Sequence, residues 1–176
     1  MKRLLAFFPL VAVGAFFACD VPDRGQVERP MTGASQADFL NAGVDLVFER
    51  RCGSLDCHGS SARNMRIYSS EGLRLANDAG IATGTSDTTN DERLANYQSI
   101  LGVEPRATAN VLNGADPYTM LVLKKPLQIE SHKGGPVIRR GDDADTCIVS
   151  WLSSSAEAGA LTNATACASA ANFPHE

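Results

Sequence analysis

Residues 52–59 of this 176-residue chain read Cys-Gly-Ser-Leu-Asp-Cys-His-Gly, and most of what the sequence predicts depends on this segment. It contains two cysteines, Cys52 and Cys57, and His58 directly follows the second. Apolar residues and a glycine recur at helical spacing just before it: Phe39, Leu40, Gly43, Val44, Val47 and Phe48. That periodicity predicts one helix of about fourteen residues, ending near Arg50–Arg51. The segment is therefore expected to begin where a helix ends.

The order Cys…Cys-His is the attachment signature of c-type haem, whose usual form is C-x-x-C-H. Each thiol adds across a vinyl group of the haem, and the adjacent histidine binds the iron on the proximal face. Here four residues separate Cys52 from Cys57, a spacing that occurs as a variant in c-type cytochromes. The intervening peptide must bulge, and Gly53 is expected to supply the backbone freedom. The sequence thus predicts covalent haem c on Cys52 and Cys57, with His58 as the proximal ligand.

Two other interpretations of this segment stay open. In an exported protein, Cys52 and Cys57 could form a disulfide, and His58 would then be incidental. Copper or zinc could bind the three side chains, although a structural zinc site needs four ligands and this segment supplies at most three. We favour haem and keep the disulfide as the main alternative.

Five segments occur in an order that resembles the small cytochrome c-like domains of bacterial lipoproteins and large exported proteins. They are Phe48–Gly59, Gly72-Leu73-Arg74-Leu75, Asp116–Pro126, His132-x-Gly134-Gly135 and Ile148-x-x-Trp151-Leu152. The resemblance covers residues 39–153 and rests on the order of the segments. It implies a mainly α fold, a small cytochrome c-like helical domain with long loops, whose N-terminal helix packs across the C-terminal one. Gly43, Phe48 and Trp151 would meet at that crossing.

The resemblance also indicates the second axial ligand of the iron. His132 lies in a glycine-rich loop before the last helix, where the family places its distal residue. Met120 is the alternative, but it belongs to an apolar run, and such a methionine more often fills a core than binds a metal. Met65 and Met31 are weaker candidates, and His175 at the extreme C-terminus is disfavoured. Methionine ligation would give a higher reduction potential.

The N-terminus has the pattern of an export signal. A basic pair precedes an apolar run of 15 residues, Leu4–Ala18, which is shorter than the ~20 residues that span a bilayer. The run ends in Phe-Phe-Ala before Cys19, which resembles a bacterial lipoprotein signal and implies that residues 1–18 are removed and Cys19 is lipidated. Ordinary signal cleavage, leaving Cys19 as a spare thiol, is the alternative. Residues 19–34 are predicted to be a flexible tether.

The folded domain is predicted over residues 35–153, followed by a tail, 154–176, rich in Ala, Ser, Thr and Asn. Composition alone would leave this tail loose, but it contains Cys167. Once the other three cysteines are assigned to lipid and haem, Cys147 and Cys167 remain to pair. A disulfide that closes a loop of about twenty residues stabilises a protein by ~3 kcal/mol. A different pairing, such as Cys52 with Cys147, stays an alternative.

Composition and charge limit the function further. The hydrophobic fraction of 44% is sufficient for a core, and the net charge of −4 comes without a basic block, so no nucleic-acid partner is expected. We see no catalytic triad, paired carboxylates or phosphate loop, which favours an electron carrier over an enzyme. The sequence predicts a lipid-anchored, single-haem cytochrome of the bacterial cell envelope, facing the periplasm or cell surface, with a redox partner protein. The alternative is a haem-free structural or partner-binding lipoprotein with the same fold and a Cys52–Cys57 disulfide.

Overall fold

The computed structural model describes residues 33–75, 87–155, 159 and 161–172, and this part of the chain is mainly α-helical. Its helices are, in chain order, α1 Gln36–Asn41, α2 Val44–Cys52, α3 Asn90–Gly102, α4 Pro105–Leu112, α5 Leu121–Lys124, α6 Asp143–Ser153 and α7 Ala164–Ala171. A 3-10 turn, Pro117–Thr119, precedes α5. The described residues contain no β-strand, only one bridge between Tyr68 and Leu73. The prediction of a mainly α fold is confirmed.

Membrane attachment was predicted from the N-terminal residues, which lie outside the described part of the chain. These comprise residues 1–18, Cys19 and most of the proposed tether. Among the described residues, no helix is long and apolar enough to cross a bilayer.

The single first helix that the sequence predicts is in fact two helices. Ser35 caps the first of them, since its hydroxyl accepts a hydrogen bond from the Asp38 N–H at 3.2 Å. Gly43 then adopts a left-handed conformation with φ of 83°, which separates α1 from α2. The predicted end near Arg50–Arg51 is close, because α2 ends at Cys52.

Two further helices were not expected from the sequence. Helix α4 was not predicted, although Pro105 at its start is a common helix signal. The tail forms helix α7, which packs against α2 and α6 and buries Ala170 and Ala171. Gly43 faces this helix, since a Cβ there would lie 3.8 Å from the Ala171 Cβ.

Four aromatic rings form the centre of the core. Trp151 on α6 lies 5.0 Å from Phe39 and 6.2 Å from Phe48, measured between ring centroids. Tyr97 of α3 completes the cluster at 5.5 Å from Phe39. The indole N–H of Trp151 donates to the Ser35 carbonyl at 3.0 Å, so this buried polar atom is satisfied. The predicted Phe48–Trp151 contact is present, but the prediction that Gly43 lies at the same crossing is wrong, because Gly43 faces α7.

Helix α3 is fixed by charged groups as well as by packing. Arg74 and Glu92 form an ion pair of 2.8 Å, and each side chain is only 3% exposed. Burial alone would raise the pKa of the Glu92 carboxyl, but hydrogen bonds from Arg74 and from the N–H groups of Thr89 and Leu75 lower it to about 2. Glu92 and Thr89 also form the capping box that begins α3.

Candidate haem-binding site

The segment that carries both cysteines is a closed loop at the end of α2. The Cys57 N–H donates to the Ser54 carbonyl at 3.0 Å, and the His58 N–H donates to the Cys52 carbonyl at 2.8 Å. These bonds bring His58 back beside Cys52. The residues between them bulge outward, and Leu55 is 66% exposed. The four-residue spacing is therefore accommodated by a loop that leaves both cysteines next to the histidine.

The expectation that Gly53 supplies unusual backbone freedom is wrong. Its φ is −86°, which any residue adopts. Space is the reason for glycine, since a Cβ at Gly53 would lie 2.5 Å from the Glu49 carbonyl oxygen. Gly59 and Gly72 approach still more closely, because a Cβ at either would lie 2.0 Å from the Gly53 carbonyl oxygen. The glycine that opens the 72–75 segment thus packs directly on the cysteine loop.

Both cysteines of the loop are free thiols and half-buried. Burial raises the pKa of the Cys52 thiol to about 12. A thiol with so high a pKa stays protonated at neutral pH, and metals bind the thiolate.

His58 is held by a backbone group rather than by a side chain. Its Nδ1 lies 2.9 Å from the carbonyl oxygen of Met65. A carbonyl only accepts, so Nδ1 carries the proton and the lone pair of Nε2 is available to a metal. Burial lowers the pKa of His58, which favours the neutral ring that metals bind.

His132 has the same arrangement in its own loop. Its Nδ1 lies 2.8 Å from the carbonyl oxygen of Gly135, which again leaves Nε2 as the atom with a lone pair. Gly135 has a φ of 72°, the left-handed region that favours glycine. The His-x-Gly-Gly segment thus folds its own backbone onto the histidine.

The rings of the two candidate ligands, His58 and His132, lie close together. Their ring centroids are 6.2 Å apart and their planes differ by 12°. Metal–imidazole bonds of about 2 Å place two nitrogens about 4 Å apart across one metal ion, and each ring centre lies about 1 Å further back. Two imidazoles that bound one metal from opposite sides would therefore have ring centres about 6 Å apart, close to the observed 6.2 Å.

The other candidate ligands are placed differently. Met120 is 1% exposed and belongs to the hydrophobic core. Met65 contributes the carbonyl that holds His58. Met31 and His175 lie outside the described residues.

The predicted pairing of Cys147 with Cys167 is present as a disulfide with a sequence separation of 20. The alternative pairing of Cys52 with Cys147 does not occur, since Cys52 is a free thiol.

Sequence reasoning missed the two groups that orient the histidines, the carbonyls of Met65 and Gly135. Every residue has a backbone carbonyl, so residue type carries no signal for this role. Arg51 was missed as well. Its guanidinium donates to the Val137 carbonyl at 3.5 Å, which links the end of α2 to the loop that carries His132.

Two surface cavities of the described residues lie away from the histidine pair. One of about 370 Å³ is lined by Glu49, Arg93 and their neighbours, and another of about 470 Å³ lies between the end of α4 and the end of α6. Within the described ranges, no group of three or more His, Cys, Asp or Glu side chains could hold a bare metal ion.

Comparisons of the chain with protein-family models, with curated proteins and with solved structures gave no match.

Proposed function

We propose that this protein is a single-haem c-type cytochrome with a cytochrome c-like fold, which transfers electrons in the bacterial cell envelope. The observation that carries the proposal is the parallel pair of His58 and His132, each held at Nδ1 by a backbone carbonyl. Two free thiols, Cys52 and Cys57, belong to the loop that ends in His58. A haem iron needs only two axial ligands from the protein, because the macrocycle supplies the others.

Each residue of the site has a specific role in this proposal. Cys52 and Cys57 form the thioethers, His58 is the proximal ligand and His132 the distal one. When bound, haem c supplies an iron that cycles between two oxidation states. The carbonyls of Met65 and Gly135 keep both imidazoles in the tautomer that binds iron. If His58 and His132 both bound the haem iron, they would leave no place on it for a substrate, which supports an electron carrier over an enzyme.

The location and partners are part of the same proposal. Lipidated Cys19 would anchor the protein to a membrane without a spanning helix, and its partner would be another redox protein of the envelope. The net charge of −4 disfavours nucleic acid. A Cys19→Ala variant should move from the membrane fraction to the soluble fraction, whereas retention in the membrane fraction would contradict the lipid anchor.

Covalent haem is tested by producing the full chain in a host that has haem-attachment machinery. We expect a pyridine haemochrome spectrum, and a haem mass that remains on the denatured polypeptide. A Cys52→Ala, Cys57→Ala double variant is the control and should carry no covalent haem. If the unsubstituted protein has no Soret band and its mass shows Cys52 joined to Cys57, the haem-free lipoprotein replaces this proposal.

The distal ligand is tested by His132→Ala, with Met120→Leu as the matched control. Loss of the His132 imidazole should convert a six-coordinate spectrum to a five-coordinate one. Met120 is buried in the core, so its conservative replacement should leave the spectrum unchanged. The opposite pattern would assign the sixth position to Met120.

A further inference from the structure

Helix α3 holds the peptide segment that orients His58. Asn96 is 0% exposed. Its side-chain oxygen and nitrogen both form hydrogen bonds with the backbone of Tyr68. Its Oδ1 accepts from the Tyr68 N–H at 2.6 Å, and its Nδ2 donates to the Tyr68 carbonyl at 2.8 Å. Asn96 therefore binds the backbone of Tyr68 as a neighbouring β-strand would.

Ser99 lies one helical turn further along α3 and binds the same peptide segment. Its Oγ accepts a hydrogen bond from the Arg66 N–H at 2.9 Å. Asn96 and Ser99 are three positions apart, so they share one face of α3. Together they bind three backbone groups between residues 66 and 68.

The segment that they hold contacts both the ring and the backbone carbonyl of His58. The Met65 carbonyl lies 2.9 Å from Nδ1 of His58, and the Ile67 N–H donates to the His58 carbonyl at 2.9 Å. Ile67 is 0% exposed, so the segment is also packed in place. The position of the Met65 carbonyl is thus set by α3 on one side and by the cysteine loop on the other.

We propose that Asn96 and Ser99 are positioning residues for the iron-binding imidazole. They fix the Met65 carbonyl against the Nδ1–H of His58, and so set both the ring orientation and the strength of that hydrogen bond. A stronger bond at Nδ1 makes Nε2 more electron-rich, which stabilises the oxidised iron and lowers the reduction potential. This inference rests on the proposed haem function, and it adds α3, which the attachment motif does not include.

The test compares Asn96→Ala, which removes two hydrogen bonds, with Ser99→Ala, which removes one. Matched controls are Asn110→Ala on the exposed face of α4, and Ser169→Ala on α7, which removes a hydrogen bond to Asp143 of α6. All variants are produced as haem-loaded full chains. The measurements are the reduction potential and the electron paramagnetic resonance spectrum of the oxidised protein, which reports the angle between the two imidazole planes.

We expect the potential to rise in the order control, Ser99→Ala, Asn96→Ala. At a fixed applied potential, the ratio of reduced to oxidised protein should increase by up to about tenfold, the lower end of the effect of replacing groups that hold metal ligands. A tenfold change in this ratio corresponds to ~59 mV for a one-electron couple. The resonance spectrum should change in the same order.

A merely structural role predicts a different result. Both variants would then lose stability while potential and spectrum stayed at control values, and that outcome overturns the inference. If Asn96→Ala fails to fold, Ser99→Ala decides alone, since it removes one bond of a partly exposed residue. Failure of the proposed function is distinguishable, because the unsubstituted protein would then carry no haem at all, and both proposals would fall.

Discussion

Replacing both Cys147 and Cys167 by alanine tests whether helix α7 is an integral part of the core. The two cysteines join α6 to α7, and both are 0% exposed. Helix α7 has eight residues, too few for an isolated helix to persist in water. Its order must therefore come from the disulfide and from packing on α2 and α6.

The expected loss of stability has two parts. The disulfide closes a loop with a sequence separation of 20, and the chain-entropy relation gives ~3 kcal/mol for a loop of this length. Each buried sulfur that is removed costs a further ~1 kcal/mol, comparable to a buried methylene group. The free energy of unfolding should fall by about 4–5 kcal/mol, a large share of the 5–15 kcal/mol typical of a domain.

The assay is urea denaturation followed by far-ultraviolet circular dichroism, together with hydrogen exchange of the α7 amides. Thr165→Ala, an exposed change on the same helix, is the control and should have little effect. A loss below ~1 kcal/mol, with the α7 amides still protected, would refute the reasoning. It would mean that packing alone holds the helix and that the cross-link contributes little.

Two further predictions concern the surroundings of the site. Gly59→Ala should prevent the cysteine loop from closing, because its Cβ would lie 2.0 Å from the Gly53 carbonyl oxygen. It should therefore abolish haem attachment. The control Gly102→Ala, whose Cβ would have no atom within 4 Å, should leave the haemochrome yield unchanged. Burial raises the pKa of Glu49 to about 7 from an ordinary value of 4.5, so the folded state holds this proton and loses stability as pH rises from about 4.5 to 7. The test measures the free energy of unfolding by denaturation at pH 5 and at pH 8. Because solvent screens this half-buried group, the decrease between the two pH values should be about 1–2 kcal/mol smaller in Glu49→Gln than in the unsubstituted chain. The exposed control Asp91→Asn should keep the full pH dependence, and equal pH dependence in all three proteins would contradict the prediction.

Several features of the fold were predictable because they depend on neighbouring residues. The cap at Ser35, the end of α2 at Cys52 and the start of α6 at Asp143 all follow from short-range signals. The break at Gly43 was not predicted, since apolar spacing alone does not reveal a left-handed residue within a helical pattern. Helix α7 was missed for another reason, because its small residues gain their order from the elements that they cover.

The candidate site divides in the same way. Residue type and order alone led to the proposal of haem attachment for Cys52, Cys57 and His58, with a disulfide between the two cysteines as the main alternative. Sequence order also indicated His132, but only tertiary structure brings its ring to 6.2 Å from that of His58.

The orientation of the two imidazoles was decided entirely by tertiary structure. It depends on the carbonyls of Met65 and Gly135 and on the hold of Asn96 on Tyr68. A backbone carbonyl has no identity in a sequence, and a buried asparagine acquires its role only from the peptide that packs against it. The sequence by itself thus determined which atoms are available for binding, and the fold determined where they lie and how they are held.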